Sequence, residues 1–139
     1  MRELGLMMCG GVFLGLFANA TLPSSAARTR GSHLVVRVID GDTFDHGGER
    51  IRIADIDTPE VRGRCAHEIR LAARATARMG ELLAAGPFTL EPIGGRDEDR
   101  DGRKLRIVTR GGRSLGDQLV AEGLARTWTG RREPWCGSA

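Results

Sequence analysis

The spacing of apolar and polar residues changes character along the chain, and the changes mark its elements. Leu34-Val35-Val36-Arg37-Val38-Ile39 is rich in β-branched residues and runs into Asp40-Gly41, which predicts a strand entering a turn. Thr43-Phe44 opens a second strand that turns at His46-Gly47-Gly48, a hairpin signal. Over Arg50 to Ile56, Ile51 and Ile53 alternate with arginines, predicting a third strand with one buried face. Pro59 ends it within an Arg- and Gly-rich loop over residues 57–67. From Glu68 to Ala85 the period becomes helical. Ile69, Ala72, Thr76, Met79 and Leu83 recur at three- and four-residue steps, with Arg70, Arg74, Arg78 and Glu81 on other faces. Gly86-Pro87 stops that helix. Phe88–Pro92 and Lys104–Thr109 predict two more strands around a charged loop over residues 94–102. Ser114 with Asp117 three residues on has the spacing of a capping box, opening a short helix to about Glu122. Trp128 and Trp135 fall in an irregular tail.

Three strands, a long helix, two strands and a short helix describe an α+β, mainly β domain. The order fits a five-stranded Greek-key barrel of the oligonucleotide/oligosaccharide-binding type. A chain of 139 residues suffices for one such domain with a modest core.

The first residues follow a different pattern. Leu4 to Phe17 is apolar apart from Gly and Cys, and small residues follow at Ala18-Asn19-Ala20 and Ser25-Ala26-Ala27. This reads as a secretory signal peptide over residues 1–27, cleaved after Ala20 or Ala27, ahead of one domain over 28–139. The expected location is therefore exported, either periplasmic or secreted. The exported domain keeps two cysteines, Cys65 and Cys136, and an even count in an oxidising compartment predicts a disulfide between them. Zinc held by Cys65, His67 and Cys136 is disfavoured: three candidates at this spacing match no zinc finger. His33 and His46 read as ordinary surface residues.

The formal charge is +3, from 21 Lys and Arg against 18 Asp and Glu, and Lys104 is the single lysine. That excess favours approach to a polyanion. There is no Tyr, which argues against a stacking platform for single strands. Trp128 reads as a core or lid residue, with a base-stacking surface as the alternative.

The candidate chemistry lies in two acidic clusters. Asp40-Gly41-Asp42-Thr43 precedes Asp57-Thr58-Pro59-Glu60, with Arg50-Ile51-Arg52-Ile53 between them and Asp101-Gly102-Arg103 far downstream. Taken singly, each cluster has the composition of a turn. Placed at the ends of adjacent strands, Asp42 and Asp57 can face one point, where two carboxylates repel unless a cation lies between them. Oxygen ligands select hard cations, and guanidinium groups grip phosphate oxygens bidentately. Asp97, Asp99, Asp101 and Gly102 begin like an EF-hand loop, but Val108 stands where that loop needs Glu. A solvated acidic loop presenting Arg103 is the better account.

Val38-Ile39-Asp40-Gly41-Asp42-Thr43, Arg52-Ile53-Ala54-Asp55-Ile56-Asp57-Thr58-Pro59-Glu60 and Asp99-Arg100-Asp101-Gly102-Arg103 resemble the three signature segments of the staphylococcal nuclease (thermonuclease) family. The likeness extends over about residues 33–130, in the family's order. It implies a five-stranded barrel and a Ca²⁺-dependent endonuclease acting on DNA and RNA and leaving 3′-phosphate ends. Besides the DNA or RNA substrate no stable protein partner is expected, and the chain is expected to be a monomer. By the same resemblance Asp42, Asp57 and the Thr58 carbonyl are the Ca²⁺ ligands, and Asp40 is an outer-shell acid. Glu60 orients or deprotonates the attacking water, and Arg52 and Arg103 grip the phosphate. The family's two pocket tyrosines have no counterpart, their places falling near Thr129 and Arg131. A non-catalytic nucleic-acid-binding module on the same barrel is the alternative, disfavoured because Arg52, Glu60 and Arg103 are all present.

Overall fold

The computed structural model describes residues 35–137, so the expected leader over residues 1–27, and His33, lie outside the described residues. Eight strands and two helices follow in the order β1 (Arg37–Asp40), β2 (Thr43–His46), β3 (Glu49–Ile53), β4 (Ile56–Asp57), α1 (Ala66–Ala84), β5 (Thr89–Pro92), β6 (Lys104–Arg110), β7 (Arg113–Ser114), α2 (Leu115–Ala121) and β8 (Arg126–Thr127).

The main sheet has the order β1-β2-β3-β6-β5, with β7 added to β6. β2 and β3 form a tight hairpin in which His46 pairs with Glu49. Its two turn residues, Gly47 and Gly48, have φ of 62° and 84°, a left-handed pair that favours glycine. The period-2 pattern of β3 places Ile51 and Ile53 in the core, fully buried, and turns Arg50 and Arg52 to the other face. β3 then pairs in parallel with β6, opposing Arg52 to Leu105. A parallel neighbour requires a long crossover. Here the crossover carries α1 and β5.

The third strand extends less far than its alternation suggests. A turn at Ala54-Asp55 separates β3 from the two-residue β4. β4 leaves the main sheet and pairs with β8, opposing Asp57 to Arg126. The class is the expected mixed α+β one, but no ladder closes the sheet among the described residues. β1 and β5 remain its edges. Both are four residues long, and Pro92 has no N–H to donate. Helix packing covers the core instead, with α1 lying against β1 and α2.

α1 buries Leu71, Ala72, Ala75, Met79, Leu82 and Leu83, whereas Ile69 is 46% exposed. The apolar stripe is thus rotated from the one the spacing predicts. Residues 69–83 carry two overlapping three-four patterns, and the smaller side chain of Ala75 suits the closer approach. Gly41 explains that closeness: a Cβ there would lie 2.9 Å from both Ala75 Cβ and Thr58 Cγ2. Around this contact Phe44, Ile51, Ile53, Ile56, Met79 and Val108 are fully buried, each contributing roughly 1.5–3 kcal/mol for its larger side chains. α2 begins as expected, the Ser114 hydroxyl accepting from Asp117 N at 3.1 Å and donating to Asp55 Oδ2 at 2.7 Å.

Candidate active site

Asp42 stands in the two-residue connection between β1 and β2, opposite the segment that follows β4. It is only 4% exposed, so its lone pairs must be met by protein groups or by a ligand. Oδ1 accepts from Thr43 Oγ1 at 3.1 Å, and Oδ2 accepts from Thr58 N at 3.1 Å and Thr58 Oγ1 at 2.9 Å. Thr58 thereby fastens one acidic cluster to the other across 16 residues of sequence. Arg52 Nη1 lies 3.2 Å from the same Oδ2 and also donates to the carbonyls of Ile53 and Ile56. Asp40 stands behind, its Oδ1 accepting from Asp42 N at 3.1 Å.

Burial pushes the Asp42 carboxyl up to about 6, and the charge of Asp40 adds to the rise, while Arg52 and the Thr58 donors oppose it. A carboxylate raised this way gains from a further positive charge beside it.

Asp57, in β4, is equally buried. Its Oδ1 accepts from Arg132 Nε at 3.1 Å and Nη2 at 2.8 Å, and its Oδ2 accepts from Trp135 Nε1 at 3.2 Å. Glu60 is half-exposed and forms an ion pair with Arg132 Nη1. Its backbone N–H donates to Glu68 Oε1 at 3.3 Å, and Arg64 N donates to Glu68 Oε2 at 2.8 Å. Glu68, in the first turn of α1, is buried and holds the loop that carries Glu60.

Arg103 precedes β6, and the parallel β3–β6 pairing brings it to the same region as Arg52. Asp99 organises the loop, with Oδ1 accepting from Asp101 N at 2.9 Å and Arg103 N at 3.0 Å and Oδ2 from Arg103 Nε at 2.6 Å. Burial opposes ionisation of Asp99, but these Arg103 and Asp101 donors outweigh it and hold the carboxyl below its ordinary value.

Asp40, Asp42, Arg52, Asp57, Thr58, Glu60 and Arg103 all line one cavity of about 550 Å³, joined by Trp128 and Arg132. Trp128 is 39% exposed on this wall and so is no core residue. Buried Asp42 and Asp57 beside Thr58 make an oxygen-only donor set, which fits Ca²⁺ or Mg²⁺ and not zinc. Cys65 and Cys136 are joined by a disulfide that ties the start of α1 to the tail.

Three residues of this arrangement escape the sequence reading: Glu68, Arg132 and Trp135. Glu68 is legible only as a helix-starting acid. Arg132 and Trp135 belong to a tail whose path depends on the disulfide.

Residues 50–136 match the family model described as staphylococcal nuclease homologue. The chain is 34% identical over 94 residues to the SPbeta prophage-derived endonuclease YokF of Bacillus subtilis (strain 168), covering 65% of this chain and 32% of that one. It is 35% identical over 94 residues to the endonuclease YncB of the same organism, covering 65% of this chain and 44% of that one. The thermonuclease of Staphylococcus intermedius is 29% identical over 120 residues, covering 83% of this chain and 71% of that one. The chain thus matches less than half the length of either Bacillus relative.

Proposed function

The chain belongs to the staphylococcal nuclease homologue family, and from that premise we propose that it is a Ca²⁺-dependent endonuclease that hydrolyses phosphodiester bonds of DNA and RNA. The observation that carries this reading is the shared cavity in which Asp42, Asp57 and Glu60 face Arg52 and Arg103. Asp42, Asp57 and the Thr58 carbonyl are the groups that would hold the ion, with Asp40 ordering the turn behind them. When bound, the ion polarises a phosphoryl oxygen and helps align water with the scissile bond.

The protein's own side chains account for the rest. Arg52 and Arg103 donate hydrogen bonds to the non-bridging phosphate oxygens, where negative charge builds as water attacks. Arg52 is held nearly buried by the Ile53 and Ile56 carbonyls, and Arg103 is aimed by Asp99, so neither needs to reorganise during the reaction. Glu60 holds the attacking water and takes its proton. Cleavage of the bond to the 5′ oxygen leaves 3′-phosphate ends. The disulfide and the leader pattern support export to the periplasm or medium.

The test is digestion of duplex DNA and of RNA by the oxidised protein with Ca²⁺ or with chelator, alongside Glu60→Gln and Arg103→Lys. Chelator should abolish cleavage, and Glu60→Gln should slow it by roughly 10²–10⁴-fold. Arg103→Lys should cost about 2.7–4 kcal/mol of barrier, because an ammonium cannot reproduce the guanidinium fork. Equal digestion in chelator, or full activity in both variants, refutes the mechanism. Binding of nucleic acid without cleavage under every divalent ion would favour a binding module.

A further inference from the structure

The two carboxylates that this reading assigns to the cation and to the water share a single guanidinium. Arg132 gives Nε and Nη2 to Oδ1 of Asp57, at 3.1 and 2.8 Å, and its Nη1 pairs with Oε1 of Glu60. The partners differ in exposure: the Asp57 side chain is 4% exposed and the Arg132 side chain 45%. Arg132 can therefore withdraw into water, whereas the Asp57 carboxylate has no such exchange open to it. Nor is the tail carrying Arg132 a loose end. Cys136, four residues on, is bonded to Cys65 at the start of α1. Arg126 Nη1 donates to the Pro134 carbonyl at 3.0 Å, and its guanidinium lies 3.9 Å above the ring of Trp135. Trp135 in turn reaches the second oxygen of Asp57.

A divalent ion on Oδ1 of Asp57 needs the lone pairs that Arg132 occupies. An adjacent guanidinium would also repel it. We propose that Arg132 is a resident counter-ion of the cation site. It neutralises Asp57 and Glu60 until a divalent cation displaces it, so that metal binding is an exchange of positive charges and Arg132 sets its affinity. The inference rests on the reading of Asp57 as a cation ligand. It also gives Glu60 a condition: its carboxylate becomes free for water only once Arg132 has moved. Arg132 is in this sense a positioning residue and touches no reacting atom.

The test is calorimetric titration of the oxidised protein with CaCl₂ alone, without nucleic acid, for the wild type, Arg132→Gln and Arg132→Lys, with indole fluorescence followed in parallel. Removing the charge-assisted competitor should tighten Ca²⁺ binding roughly tenfold in Arg132→Gln, while Arg132→Lys, which keeps the charge but not the fork, falls between that variant and the wild type. Indole fluorescence should change on Ca²⁺ addition in all three, because the Trp135 N–H shares Asp57 with the ion and Trp128 lines the same cavity. A merely structural role for Arg132 predicts the opposite sign. Unchanged or weaker Ca²⁺ binding by Arg132→Gln therefore overturns this inference and leaves the assignment of Asp57 standing. Failure of all three proteins to bind Ca²⁺ overturns both.

Discussion

Asp42 is buried beside a like charge, and its titration should govern how well the site takes a cation. Its carboxyl is raised from 3.8 to about 6, chiefly by burial, and the ion must displace that proton. Ca²⁺ affinity should therefore be nearly flat above pH 7 and fall as pH drops through about 6, by roughly tenfold per unit below it. Titration calorimetry at pH 5 and 7 checks this, and equal affinities would refute it. In the metal-free protein the sign is the reverse of the usual carboxylate case. The group favours folding below its unfolded value of 3.8, and that contribution is lost as pH rises through about 6. At this scale much of the cavity was legible in the sequence. Acidic residues flanking Gly41, and again Thr58-Pro59, have few reasons to recur with Arg52 and Arg103 in register. Arg132, Trp135 and Glu68 were not legible, since the first two act through contacts made across 75 and 78 residues and the third holds a loop by its backbone.

Among the elements, α1 does more than cover the core. Its first turn supplies Glu68, whose carboxylate takes the backbone N–H groups of Glu60 and Arg64. Glu68→Ala should leave two donors unmet and cost about 1–3 kcal/mol of stability. It should also lower the cleavage rate while leaving Ca²⁺ affinity unchanged, because Asp42 and Asp57 are anchored elsewhere. Urea unfolding and calorimetry together separate these effects, and a loss of Ca²⁺ binding would count against this role. Strand and helix boundaries were close to those read from the periodicity, because Gly47-Gly48 and Gly86-Pro87 are strong local stops. The phase of α1 was not, since two stripes compete and tertiary packing at Gly41 chooses between them. The pairing of β4 with β8 was hidden for a related reason: two-residue strands carry no period of their own.

For the molecule as a whole, the Cys65–Cys136 bond closes a loop spanning 71 residues of separation, most of the described chain. In the chain-entropy account a loop of that size is worth roughly 4 kcal/mol. Reduction should lower the urea midpoint accordingly, and unchanged midpoints with and without reductant would show that the bond is not formed or not felt. The overall class could be read from element order, whereas barrel closure could not, because it turns on whether two short edge strands meet. The parallel contact between β3 and β6 has a consequence in time. It joins Ile51 to Lys104 and Ile53 to Arg106, so the chain between must be gathered before the pair can form. Contacts this distant in sequence form slowly, after helices and hairpins have appeared. That pairing brings Arg52 and Arg103 to the wall of one cavity, so a folding chain should complete this wall late. Until then it has secondary structure but no competent nuclease site.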